Sequence, residues 1–463
     1  MAKLSKLDYF TFNNQTPMRT FTLVLLLMPM TLFAQIDANA TCETVALYQR
    51  LQTFAGNQLL FGHENSTYEG IGWQDPVGTT DQSDVFNAIG DFPAVYGFDF
   101  IDGYGTFYEH VRRAYRRGGI ITISDHMDNP ATSGDSWDTG GNAVSKILTI
   151  GSNEHIIYNW YLDQAANFFL NIKEEGIHIP IIYRPLHENS GNWFWWGKNQ
   201  CTPAEFVQLW QYTVSYLRDT KGVHNVLYAY SPSRPSTDGG YGSRYPGDDW
   251  VDILGFDYYQ GSSVFASGLI PDCQLVVNLA NQKNKIAALT EFGIFGGIQN
   301  TLLPDWFRTE LLNPIKNDPI AKQIVWALTW RNGTMDHHWV PVSGENNFIS
   351  FVNFANDPYT AFESDLPADL YDCSNITSNT ALAETSYLRL YPNPAQNHVN
   401  LEIDRPFAQG QLTLFDLSGK RILDHVLLNP ATTISLGQLP AGVYAIRIQL
   451  DGEAPISQSL IIQ

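Results

Sequence analysis

"IPIIYRPLHE", residues 179–188, is a short apolar run that ends in a histidine and a carboxylic acid. Parallel strands covered on both faces read as continuous apolar runs rather than as alternating ones. Seven other runs share this texture: "LLFGHE" (59–64), "FPAVYGFDF" (92–100), "GIITISDH" (119–126), "NVLYAYSP" (225–232), "VDILGFDYY" (251–259), "KIAALTEFG" (285–293) and "QIVWALTWRN" (323–332). Between them lie stretches with helical patterning, such as 154–176 and 202–222. The second of these opens with Thr202, Pro203 and Glu205, a capping-box arrangement, and closes at Gly222. Eight buried strands alternating with helices predict an α/β protein with a (β/α)8 TIM barrel over residues 35–367. An open doubly wound sheet is the alternative, and the early strands are followed by no glycine-rich phosphate fingerprint.

In such a barrel the chemistry sits at the C-terminal ends of the strands. Those ends carry His63 and Glu64, Asp99, Asp125 and His126, His187 and Glu188, Asp257 with Tyr258 and Tyr259, Glu291, and Trp330 with Arg331. Buried strands have no reason to end this way unless their ends line a site. Glu188 ends the fourth strand and Glu291 the seventh, so the two converge across the mouth. Paired carboxyls suit glycoside hydrolysis, one donating a proton and the other attacking the anomeric carbon, and the pair must hold different pKa values. Tyr259 and Arg331 are candidates to hold Glu291 ionised. The aromatic segment "NWFWWG" (192–197) after Glu188 would raise the pKa of the acid. Trp193 is the favoured sugar-stacking platform; of Trp195 and Trp196, one is expected to face sugar and the other the core.

Composition agrees with a neutral, sugar-like partner. Of 463 residues, 13% are aromatic, including 12 Trp, and the net charge is −20, which disfavours nucleic acid. The apolar run "FTLVLLLMPMTLFA" (21–34) behind Arg19 has the pattern of a signal peptide, so residues 1–34 are set apart from the fold. No other segment reads as a membrane span, and a secreted or surface-attached monomer is expected. The cysteines Cys42, Cys201, Cys273 and Cys373 show no zinc spacing and allow three full disulfide pairings. The sequence shows no calcium-loop motif, "DHHW" (336–339) brings no further ligands, and no cofactor or metal is expected. Residues 368–386 are polar, as a linker would be. From 387 to 463 short alternating strands broken by Pro and Gly turns predict a small β-sandwich.

"YRPLHENSGNWFWWG" (183–197) resembles the acid/base segment of glycoside hydrolase family 26, chiefly endo-β-1,4-mannanases. "GNQLLFGHE", "PAVYGFD", "ISDHMDNP", "VDILGFDYYQ", "LTEFG", "WALTWRNG" and "FANDPYTAF" resemble the family's other segments in order, over roughly residues 40–365. The resemblance implies a barrel enzyme that retains anomeric configuration, acting on mannan, glucomannan or galactomannan, with Glu188 as acid/base and Glu291 as nucleophile. It implies sugar-site roles for His126, His187, Trp193, Asp257, Tyr259, Trp330, Arg331 and, less closely, Asp99. Asp125 departs from the family pattern, where an aromatic is more usual. β-1,3-Xylan or mixed-linkage β-glucan are alternative substrates, and a non-catalytic surface glycan-binding protein is the alternative of another class. "LYPNPAQNHVNLEI", "LFDLSGK" and "LPAGVYAIRI" resemble the type A sorting domain of type IX secretion, which implies the secretion machinery as a partner. A carbohydrate-binding sandwich is the alternative for this unit.

Overall fold

The computed structural model describes residues 35–235, 240–374, 388–416, 420–437, 439–451 and 456–462. The expected leader, 1–34, and most of the expected linker lie outside the described residues. All eight apolar runs form strands: β1 Leu59–Glu64, β2 Val95–Asp99, β3 Ile120–Ser124, β4 Ile181–Arg184, β5 Val226–Tyr230, β6 Ile253–Gln260, β7 Ile286–Ile294 and β8 Trp326–Thr329. Each is parallel to the next, and β1 pairs with β8 through Leu60–Trp326 to His63–Thr329, so the sheet closes into a barrel. A short strand at Thr360–Ala361 adds to the lower end of β1.

Period-two alternation splits the strand side chains between two cores. Leu60, Val95, Ile182, Leu227, Ile253, Ala288 and Leu328 fill the barrel interior together with Leu47, Leu51 and Phe54 of helix α1 (Cys42–Phe54). Phe61, Tyr96, Phe98, Tyr183, Leu254 and Phe256 face the surrounding helices. The same alternation carried to the strand ends places Glu64, Asp99, Arg184, Asp257 and Tyr259 on the inward parity. The helices form where their sequences provide caps. Ser152 caps α2 (Asn153–Asn171), which ends earlier than its apolar pattern suggested because Lys173–Glu174 and Ile177–His178 form a hairpin. Thr202 and Glu205 form the expected capping box on α3 (Pro203–Ser215). Ser262–Lys283, which contains α4 (Phe265–Lys283), is long and apolar enough to cross a membrane. It is an outer helix of the barrel, with Leu269, Val276, Val277 and Ala280 buried.

Residues at the start of the expected linker belong to the barrel. Leu370 is buried in the inner core, the Tyr371 hydroxyl donates to the Gly119 carbonyl at 2.7 Å, and Cys373 is bonded to Cys42. The C-terminal region is all β. One sheet holds β9 (Leu388–Tyr391), β10 (His398–Ile403) and β13 (Ala431–Ser435). The other holds β11 (Gly410–Phe415), β12 (Arg421–Leu427), β14 (Gly442–Leu450) and β15 (Ile456–Ile462). Val399, Leu401 and Ile434 from the first sheet meet Leu412, Leu414, Ile446 and Ile448 from the second in one core.

Of the pairings the sequence left open, the structure contains Cys42–Cys373, with Cys201 and Cys273 free. The bond ties α1 to the end of the barrel region across 331 residues of chain. In the chain-entropy account, closing a loop of that size is worth about 6 kcal/mol. Replacing Cys42 and Cys373 by Ser is expected to lower the melting temperature by roughly 8 °C, read by calorimetry; an unchanged melting temperature would contradict the bond's role.

Candidate active site

The site is built around one guanidinium. Arg184, at the end of β4, is buried and faces inward. Its Nη1 donates to Asp257 Oδ2 at 2.5 Å and its Nη2 to Glu291 Oε2 at 2.6 Å. The Tyr259 hydroxyl donates to the other Glu291 oxygen at 2.7 Å. Asp257 accepts further bonds from Ser231 Oγ at 2.6 Å and Thr290 Oγ1 at 2.8 Å. The register of β6 against β7 shifts at this point, pairing Phe256 with Leu289 but Asp257 with Glu291. Thr290 is the extra residue of a bulge. Strict alternation would turn either Thr290 or Glu291 outward; the bulge lets both face Asp257. Tyr259 therefore meets Glu291 as the sequence suggested. Arg331 does not: its guanidinium pairs with Glu69, and Arg184 fills the expected role. The clue was the parity of β4, since Arg184 follows the inward Ile182 by two.

Glu188 sits in a different environment. It lies just past β4, half-buried, with the backbone at Leu186 and Glu188 in the left-handed region, φ 50° at both. Its amide donates to the Ser231 carbonyl at 2.7 Å, and its Oε2 accepts from Trp193 Nε1 at 2.6 Å. Burial pushes the Glu188 carboxyl well above the usual glutamate range. Glu291 and Asp257 add to the shift, while Trp193 and Arg184 pull against it. The arrangement thus sets a carboxyl of raised pKa near one that a guanidinium and a phenol hold in place.

A second chain supports the wall next to Glu188. Ser124 Oγ donates to Asp99 Oδ2 at 2.5 Å, and the same oxygen lies 2.6 Å from His126 Nδ1. In the neutral ring this assigns the proton to Nδ1 and leaves His126 Nε2 to accept from His187 Nε2 at 3.2 Å. Burial, then the Arg184 charge, hold His187 well below the usual histidine range, so it stays neutral. Burial works against the Asp99 charge, but His126, Ser124 and the Ile101 amide outweigh it and hold Asp99 below its usual value. Asp125 points elsewhere: it accepts from the Tyr183 hydroxyl at 3.0 Å, in the layer between barrel and helices. Glu64 lies over Gly97, where a Cβ would collide with its carboxylate. Burial and Asp99 push Glu64 well above the ordinary range.

Phe194, Trp195 and Trp196 are all buried, which corrects the expectation that one of the two tryptophans faces sugar. Trp195 Nε1 donates to the Met127 carbonyl at 2.8 Å and Trp196 Nε1 to the His187 carbonyl at 2.7 Å, so both rings brace the wall from behind. Trp193 is the exposed member, at 36%. Sequence reasoning missed Trp137, 51% exposed, whose ring lies 5.3 Å from His126 and nearly parallel to it. Its signal was a lone Trp in the polar stretch "TSGDSWDTGG" (132–141). Trp330 presents its edge to His126 at 6.1 Å. In "DHHW", His338 is buried against Glu345 at 2.8 Å, and among the described residues no cluster of His, Cys, Asp or Glu forms a candidate metal site.

Comparison with known proteins agrees with this geometry. The sequence pattern described as "Glycosyl hydrolase family 26" matches residues 36–330, and that of the "Secretion system C-terminal sorting domain" matches residues 389–463. A mannan endo-1,4-β-mannosidase of Bifidobacterium adolescentis is 39% identical over 360 residues, covering 68% of this chain and 34% of its own length. One from Bacillus subtilis is 29% identical over 38% of this chain and 52% of its own. The chain thus spans a third to a half of these relatives' lengths. A modular endo-β-1,4-mannanase structure from Cellulomonas fimi superposes with a TM-score of 0.71 at 30% identity, covering 93% of this chain and 99% of the other. A family 26 β-mannanase structure from Bacteroides ovatus gives 0.66 at 35% identity, covering 72% of this chain and 98% of the other. With the family pattern matched over residues 36–330 and Arg184, Asp257, Tyr259 and Glu291 brought into one bonded cluster at the strand ends, the chain belongs to glycosyl hydrolase family 26.

Proposed function

We propose that the protein is an exported, endo-acting β-mannanase that hydrolyses β-1,4-mannan, glucomannan or galactomannan with retention of configuration. The observation that carries this reading is the contrast between the two carboxyls: Glu188 is raised by burial and its acidic neighbours, while Glu291 is held by Arg184 and Tyr259. An acid of raised pKa paired with a carboxyl oriented by a guanidinium and a phenol is what acid/base and nucleophilic roles require. The named relatives, mannan endo-1,4-β-mannosidases, support the choice of sugar. The exposed faces of Trp193 and Trp137 suit stacking against pyranose rings. The C-terminal match supports export through a sorting domain, followed by release or surface attachment.

The reaction runs in two displacements. The Glu188 carboxyl gives its proton to the glycosidic oxygen as the bond from that oxygen to C1 breaks, and Glu291 bonds to C1 from the opposite face. Glu188, now ionised, takes a proton from water; the water oxygen bonds to C1 and Glu291 departs with its electron pair. Arg184 and Tyr259 orient Glu291 through both steps, and their bonds to it hold its charge.

Two outcomes are expected. Glu291→Ala loses at least about a thousandfold in kcat on mannan, read by reducing-sugar release, while calorimetric binding of mannohexaose persists. Wild-type protein that releases no sugar from mannan, xylan or β-glucan would favour the glycan-binding alternative. The second outcome concerns pH. Glu188 must be protonated, and its pKa lies well above the ordinary value of 4.5; activity therefore persists above that pH and falls as pH rises through the elevated pKa. The Trp193 bond favours the carboxylate, so Trp193→Phe moves this basic limb upward in the kcat/KM profile; a limb that stays or moves down would contradict it.

A further inference from the structure

Arg244 is a buried cation whose bonds go to backbone. It closes the turn Tyr241–Arg244, between β5 and β6, and is 3% exposed. Its Nη2 donates to the carbonyls of Cys201 at 2.6 Å and Lys198 at 2.8 Å, with longer bonds from the guanidinium to the carbonyls of Gly197 and Trp196, both at 3.4 Å, and to Cys201 Sγ at 3.3 Å. Its flat face stacks 5.3 Å from the Phe206 ring. A rigid fork of five donors satisfies several convergent carbonyls at once; an ammonium cannot do so in the same geometry.

Those carbonyls belong to the loop that leaves Glu188 and returns to α3. The loop crosses itself: Lys198 N donates to the Gly191 carbonyl at 2.6 Å and Gly197 N to the Phe194 carbonyl at 2.8 Å. A Cβ at Gly197 would stand 2.6 Å from the Gly191 oxygen, so the crossing requires glycine. Inside the crossing lies Trp193, whose indole reaches Glu188. The same region braces the loop's other end, since the Tyr230 hydroxyl shares its one proton between the Tyr241 carbonyl at 3.3 Å and Asn189 Oδ1 at 3.4 Å. A left-handed backbone at Leu186 and Glu188 persists only where its surroundings fix it, and Arg244 brings a charged side chain to the returning arm of this loop.

We infer that Arg244 is a positioning residue of the reaction: by clasping the carbonyls of residues 196–201 it fixes the loop that sets the Trp193 indole against the Glu188 carboxyl. The inference rests on the reading of Glu188 as the acid/base. It also deepens that reading, because it assigns a function to a residue of another strand's loop that touches neither carboxyl.

The test uses the full chain and two substrates that differ in their need for an acid. Mannotetraose has a leaving group that must be protonated; 2,4-dinitrophenyl β-mannobioside has one that departs without a proton. Arg244→Met is expected to lower kcat/KM on mannotetraose about thirtyfold or more, but to change it by no more than about threefold on the aryl substrate, with the basic limb displaced upward. Trp193→Phe carries the same leaving-group signature, and the double variant falls little below the weaker single variant. Equal losses on both substrates, or additive losses in the double variant, would overturn the inference. Should Arg244→Met fail to fold, Arg244→Lys, which keeps the charge and loses the fork, is read on the same two substrates against the same criteria. Glu188→Ala runs beside them. If it loses equally on both substrates, the acid/base reading itself has failed; if it shows leaving-group dependence and Arg244→Met does not, only the role of Arg244 has failed.

Discussion

The bridge from Arg184 to Asp257 and Glu291 is the constraint on which the rest of the mouth depends. Asp257 and Glu291 lie side by side in register on β6 and β7, both buried. Burial and the neighbouring Glu291 push the Asp257 carboxyl up to about 7, and a cation is needed to offset the repulsion within the pair. Arg184 supplies the charge from β4, and its reach across the barrel is possible only because the sheet closes and because residue 184 has inward parity. Removing one partner of a buried, hydrogen-bonded charge pair costs about 3–5 kcal/mol, so the same contacts that orient Glu291 also hold the strand ends together. The bulge at Thr290 serves that geometry by turning Glu291 inward beside a residue that alternation already placed there.

Glu188 is held by other means. It has no guanidinium bonded to it; it stands in strained backbone beyond the strand, with its amide tied to Ser231 and its carboxyl to Trp193. The two glutamates therefore differ in surroundings, because one ends inside an ion network and the other leaves it. The aromatic segment after Glu188 contributes chiefly by packing. Phe194, Trp195 and Trp196 form a buried backing, and only Trp193 turns toward the cleft.

The barrel was legible because each apolar run matched one buried strand and because a closed parallel sheet puts its ionisable ends on one face. Glu188, Glu291 and Tyr259 followed from those ends. Arg184 was harder to see. It precedes a proline inside a run read as one strand to residue 188, so the point at which the chain leaves the barrel was hidden, and with it the last inward position. Arg331 is a candidate partner of Glu291 because a guanidinium favours an ionised carboxylate, but its side chain pairs with Glu69 instead, which no periodicity reveals. Trp195 and Trp196 were split between sugar and core on the assumption of an extended segment; turns place both inward, each with its indole N–H bonded to a carbonyl. The Cys42–Cys373 bond depends on where the chain returns after the barrel, and cysteine spacing carries no trace of that.

The most direct test is to find which carboxylate bonds to the sugar. A mannobioside with fluorine at C2 of the reacting residue and dinitrophenolate as leaving group slows release of the glycosyl-enzyme enough for mass spectrometry of the intact protein and of its peptides. The structure predicts a single adduct, on the peptide containing Glu291, that disappears in Glu291→Ala. An adduct on Glu188 or Asp257, or turnover of the reagent with no adduct at all, would contradict the account.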